Sequence, residues 1–450
     1  MGKLFGTDGV RGLANSELTP MIAYRIGKIT AHILSREHAK APKVIVGMDT
    51  RRSGSMLFAA LSAGICSAGG SVVNLGVVPT PAVAFLVREL ACDAGVVISA
   101  SHNAMEYNGI KIFDKNGLKF RDELEGEIEE FVLREEDTIE PLTGADIGII
   151  TEDYNAVELY VDYMAGLFGK MDLSGIKIAI DCAEGATYKA APAILKRLGA
   201  DLHVIHCEPN GININENCGS THLEAIKSFV VENSMDIGIA FDGDGDRCLM
   251  VCERGNEIDG DQIMSICAHY MKSQGKLVKD TLVATVMSNL GLSVMADENG
   301  IHLERTKVGD RFVLEKMLEC GAILGGEQSG HIIFTEHNTT GDGILTALNV
   351  LNVMREEGTR LSELNTKMSI MPQVLVGARV SNSKKYDFDK LPEITNVISE
   401  LEKSYAGKGR VLIRASGTEP LVRIMIEGEN LAQMQKEADE LKKLIETHLV

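Results

Sequence analysis

The chain has 450 residues, 45% of them hydrophobic and 24% charged, and a formal net charge of −19. This length exceeds what one hydrophobic core supports and predicts three to four domains. The acidic balance argues against a nucleic-acid-binding protein. The absence of tryptophan and the small numbers of Phe (12) and Tyr (9) argue against base stacking.

The nine cysteines lie in apolar contexts without the spacing of a disulfide framework. This odd count favours a reducing compartment. The first residues contain no apolar signal-peptide region, and no stretch reaches the roughly 18–20 apolar residues of a membrane helix. We therefore expect a cytoplasmic protein with neither a membrane nor a nucleic acid as partner.

Three segments share one order of elements, in which a strand is followed by a helix and a second strand. These elements are expected over 43–49, 54–68 and 71–75; over 177–181, 187–198 and 201–206; and over 281–287, 290–299 and 301–307. Short connections between strand, helix and strand predict mostly parallel strand pairs. The three segments therefore indicate three similar mixed α/β units.

The C-terminal part follows a different pattern. We expect a strand over 373–380, a helix over 388–403, strands over 410–415 and 420–427, and a helix over 430–448. Two helices kept apart from a few antiparallel strands are typical of a small α+β domain. The fold class is therefore α/β, with three similar mixed α/β units and a small α+β C-terminal domain.

Composition shifts suggest where these units meet. The charged stretch 123–140 predicts a solvated helix that leaves the first unit, and a helix over 152–168 follows. A hairpin turn over 253–257 is expected to open the third unit. We expect domains over 1–150, 151–252, 253–366 and 367–450.

A polar loop carries the first chemical signal. The apolar run Ala94–Ile98 predicts a buried strand, which ends in Ser99-Ala100-Ser101-His102-Asn103. A hydroxyl beside an imidazole at a strand end is a common place for chemistry in α/β proteins. Alternatively, Ser101 caps a following helix, which would not exclude phosphate binding.

Asp242, Asp244 and Asp246 alternate with glycines about 140 residues later. Alternation puts the three carboxylates on one side of an extended loop, and oxygen ligands without His or Cys suit Mg²⁺. A phosphate on Ser101 would supply another oxygen ligand and become more electrophilic. Together these residues suggest phosphoryl transfer.

The carboxylate cluster allows two other interpretations. An EF-hand would have Glu253 at its twelfth position, but Arg247 stands where glycine is needed and the flanking residues predict strands. An aspartyl-phosphate nucleophile lacks the expected Thr or Val after the second Asp. A glycine-rich acidic turn without function is the remaining alternative.

Two further loops lie between predicted strands. In 325–331, Glu327 and Ser329 could bind adjacent sugar hydroxyls, although this signal is weak alone. In 414–420, an arginine, two hydroxyls and a glycine, with Arg423 just beyond, form a cradle suited to a phosphate dianion. The alternative for the second loop is a hairpin turn with incidental arginines.

Together these motifs resemble the α-D-phosphohexomutases. Their order along the chain matches that family: 5–12, 99–103, 242–247, 325–331 and 414–420. The opening Phe-Gly-Thr-Asp-Gly-Val-Arg-Gly, the loop 339–343 and Gln328 are most similar to members that act on glucosamine phosphates. The family usually has Pro where this chain has Ala104, a change expected to loosen the loop without removing a donor or acceptor.

The resemblance implies four domains around a central cleft and a mechanism. Phosphoserine 101 gives its phosphate to glucosamine 6-phosphate, and the resulting sugar 1,6-bisphosphate turns round. Its 6-phosphate then returns to Ser101 and releases glucosamine 1-phosphate, which feeds the synthesis of UDP-N-acetylglucosamine. The partner is thus a small hexosamine phosphate, and a homodimer is one option for the assembly.

The resemblance also implies roles for single residues. One Mg²⁺ per chain is bound by Asp242, Asp244, Asp246 and the Ser101 phosphate. Arg11, His102 and Lys111 assist proton transfer and charge stabilisation. The sugar and its phosphate are bound by Arg247, Lys307, Gly309, Glu327, Ser329, Arg414, Ser416, Gly417, Thr418 and Arg423.

Three alternative functions follow from the same residues. The first is the same reaction on glucose or mannose phosphates, which relative kcat/KM values would distinguish. The second is a sugar-phosphate sensor, which predicts binding without turnover and without phosphoserine. The third is a phosphatase, which would release free phosphate.

Overall fold

The computed structural model describes residues 4–6, 8–38, 40–134, 136–416 and 420–450. The chain divides into two compact units. One unit comprises Met1–Met287 and Ile301–Lys367, and the other comprises Ser288–Gly300 and Met368–Val450. None of the helices in the described ranges combines the length and apolar character needed to cross a membrane.

The first unit begins with a seven-stranded sheet. Its elements are β1 (Phe5–Gly6), β2 (Gly9–Leu13), α1 (Pro20–His38), β3 (Lys43–Met48), α2 (Gly54–Ser67), β4 (Ser71–Val77), α3 (Thr80–Glu89), β5 (Ala94–Ile98), β6 (Tyr107–Asp114), α4 (Asp122–Leu133) and β7 (Ile150–Glu152). The strand order is β1-β2-β6-β5-β3-β4-β7. The pairs β3–β4, β3–β5 and β4–β7 are parallel, whereas β1–β2, β2–β6 and β5–β6 are antiparallel. The expectation of mostly parallel pairs is therefore too strong for this sheet.

Helices α1 and α2 pack closely against each other because glycines lie at their contact. A Cβ atom on Gly64 would stand 1.9 Å from the carbonyl oxygen of Tyr24, and one on Gly27 would stand 2.2 Å from that of Leu61. Only glycine allows the two backbones this approach. Strand β5, in the interior of the sheet, is covered on both faces, since all five of its residues are buried. A continuous apolar run is the pattern of a strand covered on both faces.

The second sheet has five strands. Its elements are α5 (Ala156–Leu167), β8 (Lys177–Asp181), α6 (Ala190–Arg197), β9 (Asp201–Ile205), α7 (Glu224–Glu232), β10 (Ile237–Phe241), β11 (Cys248–Cys252) and β12 (Glu257–Ile258). The order is β12-β11-β10-β8-β9, and β8 pairs in parallel with both β9 and β10. Because β12 pairs with β11, the predicted hairpin at 253–257 completes this sheet and does not open the third one.

The third sheet has four strands. The elements of this part of the chain are α8 (Gly260–Ser273), β13 (Thr281–Thr285), α9 (Leu290–Glu298), β14 (His302–Thr306), α10 (Asp310–Cys320), β15 (Leu324–Gly326), β16 (Ile332–Phe334), α11 (Gly343–Glu357) and α12 (Leu361–Leu364). The strand order is β14-β13-β15-β16. Although α9 lies between β13 and β14 in sequence, it belongs to the second compact unit.

Besides α9, the second unit contains β17 (Gln373–Arg379), α13 (Pro392–Tyr405), β18 (Arg410–Ala415), β19 (Leu421–Glu427) and α14 (Leu431–Leu449). Its three strands form an antiparallel sheet in the order β17-β19-β18. Asn289, just before α9, exchanges hydrogen bonds of 2.9 and 3.0 Å with the backbone of Met371. The predicted small α+β domain is confirmed, with α9 added to it.

The predicted elements are confirmed, and several of their ends are wrong. The helix expected over 123–140 ends at Leu133, because the backbone of Arg134 is extended. The helix expected from 388 begins at Pro392, whose fixed φ and missing N–H suit a first helical turn. In the segment expected to be helical from 187, a short 3₁₀ turn precedes α6.

Candidate active site

Ser101 lies directly beyond the carboxyl end of β5 and is buried. Its φ angle of +52° places it in the left-handed region, which is uncommon for a residue with a side chain. Its Oγ donates a hydrogen bond of 2.6 Å to Oδ2 of Asp242. The following element is the strand β6, so the alternative in which Ser101 caps a helix is wrong.

A buried ion pair supports the loop that contains Ser101. Arg51 and Asp49 pair at 2.9 Å with fully buried side chains. The guanidinium of Arg51 donates hydrogen bonds of 3.0, 2.7 and 2.5 Å to the carbonyl oxygens of Ser101, Asn103 and Ala104. Because the bond to Ala104 uses a backbone carbonyl, it would form equally with the proline that is usual there.

The loop is also supported from the second sheet. Asn215 donates from Nδ2 to the carbonyl oxygens of Ser101 and Asn103, at 2.9 and 3.0 Å. Gly243 lies against the same loop, since a Cβ at this position would come within 2.5 Å of the Ser101 carbonyl oxygen. The glycine between the first two aspartates is therefore required by close packing.

Asp242, Asp244 and Asp246 follow β10 and are buried, with relative exposures of 1%, 1% and 4%. One oxygen from each lies within 4.8 Å of the others. Oδ1 of Asp244 and Oδ1 of Asp246 are buried without a hydrogen-bond partner among the described residues. Burial and the charges of Asp246 and Asp244 raise the pKa of Asp242 well above its usual value. Three buried carboxylates with unpaired oxygens fit a divalent cation.

Lys111 is the charged neighbour of this cluster. Its Nζ lies 3.0 Å from Asp244, 3.2 Å from Asp246 and 2.9 Å from Asp8. Burial would lower the pKa of Lys111, but the charges of these carboxylates outweigh it and hold the pKa well above its usual value. Lys111 is therefore a permanently charged neighbour of these carboxylates, a position that the sequence analysis did not specify.

His102 belongs to the serine loop, and Arg11 contacts the same loop from β2. Arg11 donates to Asn103 Oδ1 at 2.8 Å and pairs with Asp8 at 2.9 Å. Nδ1 of His102 lies 3.4 Å from Oγ of Ser101. Burial, with the charges of Arg247 and Arg11, lowers the pKa of His102 to about 4, so its ring is neutral near pH 7.

Arg247 lies beside the carboxylate cluster, as expected. Its backbone N–H donates to Asp242 Oδ1 at 3.1 Å, and its Nε lies 3.8 Å from Asp246 Oδ1. The charges of Asp246 and Asp242 outweigh burial and raise the pKa of its guanidinium. Its side chain keeps 24% exposure, which leaves it accessible to a ligand.

Two predicted loops of the third sheet meet each other. Oε1 of Glu327 accepts a hydrogen bond of 3.0 Å from the backbone N–H of Gly309, whose φ is +132°. Lys307 and Ser329 are exposed. Gln328 donates from Nε2 to Asp259, the residue that caps α8, at 3.1 Å. Gln328 thus connects the loop 325–331 to the start of α8.

In the second unit, Arg414 and Arg423 stand directly opposite each other on β18 and β19. Like charges at opposed positions destabilise a strand pair unless an anion or acid lies between them. Ser416 is buried, and its backbone N–H donates to the carbonyl oxygen of Leu421 at 2.8 Å. Gly417 and Thr418, also expected here, lie outside the described residues.

Several supporting residues were missed by the sequence analysis. Asp8 and Lys119 pair at 2.5 Å, and Lys119 also pairs with Asp310, so this chain of charges extends from Lys111 to α10. Asp8 lies in the motif at 5–12, and Asp49 and Arg51 lie at the end of a predicted strand, which could have marked them. Asn215 carries no comparable local signal.

Comparisons with known proteins agree with this geometry. Four models described as phosphoglucomutase/phosphomannomutase match the chain: α/β/α domain I at residues 2–138, α/β/α domain II at 158–255, α/β/α domain III at 259–370 and the C-terminal domain at 375–444. The chain is similar to two curated phosphoglucosamine mutases. That of Ruminiclostridium cellulolyticum is 54% identical over 449 residues, 100% of both chains. That of Clostridium tetani is 53% identical over 446 residues, 99% of each.

Solved structures show the same fold. A phosphoglucomutase/phosphomannomutase family protein from Burkholderia thailandensis superposes with a TM-score of 0.81 at 24% identity, over 99% of this chain and 98% of that one. An N-acetylphosphoglucosamine mutase from Aspergillus fumigatus, solved with GlcNAc-6P and magnesium, has a TM-score of 0.72 at 18% identity. That match covers 99% of this chain and 96% of the other.

Proposed function

Because this chain belongs to the phosphoglucomutase/phosphomannomutase family and, within it, to the phosphoglucosamine mutases, we propose that it interconverts glucosamine 6-phosphate and glucosamine 1-phosphate. It is then an isomerase that moves a phosphate within one sugar. The observation that carries the proposal is the 2.6 Å contact between Ser101 Oγ and Asp242 in a buried carboxylate cluster.

In the proposed reaction, Ser101 alternates between a free hydroxyl and a phosphoserine. The bond between Oγ and phosphorus breaks as phosphorus bonds to the sugar O1, and the O1 proton leaves to a base beside it. Transfer of the 6-phosphate of the resulting 1,6-bisphosphate back to Oγ completes the cycle. His102 supports this assignment, because its ring nitrogen lies 3.4 Å from Oγ.

We propose Mg²⁺ as the cation, held by Asp242, Asp244 and Asp246, since the cluster offers only carboxylate oxygens. When bound, it would withdraw negative charge from the phosphate that is transferred. Lys111 adds a positive charge fixed by its carboxylate partners, and Arg11 adds another next to Asn103. Both would stabilise the transferring phosphate by charge.

The remaining expected residues are proposed as substrate ligands. Arg247 and Lys307 offer positive charge, and the loops with Gly309, Glu327 and Ser329 offer groups for sugar hydroxyls. Arg414, Arg423 and Ser416, with the expected Gly417 and Thr418, would bind the phosphate that is not transferred. A cytoplasmic location belongs to the same proposal, as does a division into four domains in which the second extends to Ile258, the end of β12.

The first test is the phosphorylation state of Ser101. Intact mass and peptide mapping before and after incubation with glucosamine 6-phosphate should show a phosphate on Ser101 that exchanges with the sugar. Ser101→Ala should lose the phosphate and the activity, whereas Ser273→Ala, an exposed serine at the end of α8, should keep both. A Ser101 that stays unmodified even after treatment with a sugar 1,6-bisphosphate contradicts this mechanism and supports the sensor.

Substrate choice is tested separately, by kcat/KM on the phosphates of glucosamine, glucose and mannose. The amino sugar is expected to give the highest value, because the full-length relatives at 53–54% identity are phosphoglucosamine mutases. A higher value for glucose or mannose phosphate would assign the chain to the alternative activity. Release of free phosphate without sugar turnover would indicate a phosphatase.

A further inference from the structure

A second cluster of ligand-type side chains lies one strand away from the carboxylates of the candidate active site. Asp181 ends β8, and His206 directly follows β9. Cys218 is the last residue of the loop between β9 and the 3₁₀ turn Gly219–Thr221. One ligand atom of each lies within 4.8 Å of the others. Asp181 is paired in register with Ala240 of the parallel strand β10. Both clusters therefore lie at the carboxyl ends of neighbouring strands in the second sheet.

The donor set differs from that of the active site. It contains a carboxylate, an imidazole and a thiol, whereas the active-site cluster contains carboxylates alone. Thiolate and imidazole ligands suit Zn²⁺ or Co²⁺, and Mg²⁺ prefers oxygen. The two clusters are therefore expected to bind different metals.

The geometry of the second cluster fits a small dication. Oδ2 of Asp181 lies 2.9 Å from Nδ1 of His206, close to the separation of two neighbouring ligands in a site with bonds of about 2.0–2.1 Å. Asp181 and Cys218 are completely buried, and the His206 side chain is 31% exposed. The exposed imidazole edge provides an entry path from solvent.

A further carboxylate follows Asp181 by three residues in the chain. Oε2 of Glu184 is buried and has no hydrogen-bond partner among the described residues. The backbone N–H of Glu184 donates to the carbonyl oxygen of His206 at 2.8 Å, so this carboxylate belongs to the same group of loops as the cluster.

The backbone around the cluster is strained. Five of the eleven non-glycine residues with positive φ in the described chain surround it: Ala183, Glu184, His206, Asn215 and Asn217. Residues in the left-handed region persist only where the surrounding structure fixes them, and they concentrate at ligand sites. Asp181 helps to hold this backbone conformation, because its carboxylate accepts hydrogen bonds from the backbone N–H groups of Ala183 and Gly219 at 2.8 and 3.0 Å.

We propose that Asp181, His206 and Cys218 form a second metal site, which binds one Zn²⁺-type dication and is separate from the Mg²⁺ site. Binding releases the Cys218 thiol proton to solvent, and the metal replaces the hydrogen bond between Asp181 and His206. The site adjoins the Ser101 loop through Asn215, which bonds both the backbone of Ala183 and the carbonyl oxygen of Ser101.

The test is a Co²⁺ titration of the metal-stripped full-length protein in excess Mg²⁺, which keeps the active-site carboxylates occupied. One equivalent of Co²⁺ should produce a thiolate-to-metal charge-transfer band in the near ultraviolet, and Zn²⁺ should displace it. Carboxylates alone produce no such band. Cys320→Ser, which changes a thiol on α10, is the matched control and should keep the band.

Cys218→Ser and His206→Asn should each remove the band and weaken Zn²⁺ binding, measured by calorimetry, by at least roughly 10–100-fold. If Cys218→Ser does not fold, His206→Asn decides the result, because its side chain is partly exposed. The absence of a band in the unmodified protein overturns the site. So does a band that survives both variants and disappears in Cys182→Ser or Cys207→Ser.

Discussion

The guanidinium of Arg51 donates a 3.0 Å hydrogen bond to the carbonyl oxygen of Ser101, 50 residues away in sequence. Arg51 is completely buried and paired with Asp49, so its charge is compensated within the protein. The left-handed backbone of Ser101 is therefore held by a residue that does not touch its hydroxyl. We therefore expect Arg51 to position Ser101, the proposed carrier of the phosphate.

Arg51→Lys is expected to lower kcat by about 100-fold, because a lysine cannot bond three carbonyl oxygens at once and a shift of about 1 Å at a reacting atom has this effect. The melting temperature should fall less than for Arg51→Ala, which leaves Asp49 unpaired. Arg52→Lys changes an exposed neighbour and is the control. A kcat unchanged in Arg51→Lys would show that the loop holds its shape without the guanidinium.

Lys111→Met should destabilise the protein by about 3–5 kcal/mol in the absence of Mg²⁺, since it leaves Asp8, Asp244 and Asp246 without their common buried cation. Mg²⁺ should restore part of this loss, so its stabilising effect should be larger than in the unmodified protein. Denaturant unfolding with EDTA and with Mg²⁺ measures both quantities. Lys115→Met, at an exposed position, should change neither; equal Mg²⁺ effects in all three proteins would contradict the expectation.

Removal of divalent metal with EDTA should abolish sugar-phosphate turnover and lower the melting temperature, and Mg²⁺ should reverse both effects. Asp246→Asn should remove the Mg²⁺-dependent rise in melting temperature, because it deletes one of the three clustered charges. Asp201→Asn changes an exposed carboxylate at the start of β9 and should keep the full rise. A full rise in Asp246→Asn would place the ion elsewhere.

Glu125 on α4 should make stability depend on pH. Burial raises the pKa of its carboxyl from 4.5 to about 7, although Arg311 and Lys119 oppose this rise and Asp122 adds to it. The folded protein then binds more protons than the unfolded chain between these values, so this group's contribution to stability falls as the pH rises from about 4.5 to 7.

Glu125→Gln removes that titration. The free energy of unfolding of this variant should therefore decline less between pH 5 and pH 8 (about the range that the linkage spans) than that of the unmodified protein. Glu123→Gln, at an exposed position of the same helix, should keep the original decline. Parallel pH profiles for Glu125→Gln and the unmodified protein would show that Glu125 titrates normally.

The local pattern of the sequence determined most elements and the main chemical groups. Apolar runs that end in polar loops placed Ser101 and the three aspartates beyond strands, and β5 and β10 are buried throughout, as such runs require. The order of the five motifs along the chain was sufficient to identify the family. Helix ends were predicted less well, since they depend on the backbone of single residues such as Arg134.

Only the tertiary structure decided which of these groups meet and what holds them. In the sequence, Lys111 resembles an ordinary strand lysine. Only the fold brings it to Asp244 and Asp246, which are more than 130 residues away in the chain. The same is true of Arg51, Asn215 and the Asp181–His206–Cys218 cluster, whose members lie on different strands and loops. The physical reason is that a local pattern records which side of an element is buried, whereas contacts between distant loops arise only when the strands pair in register.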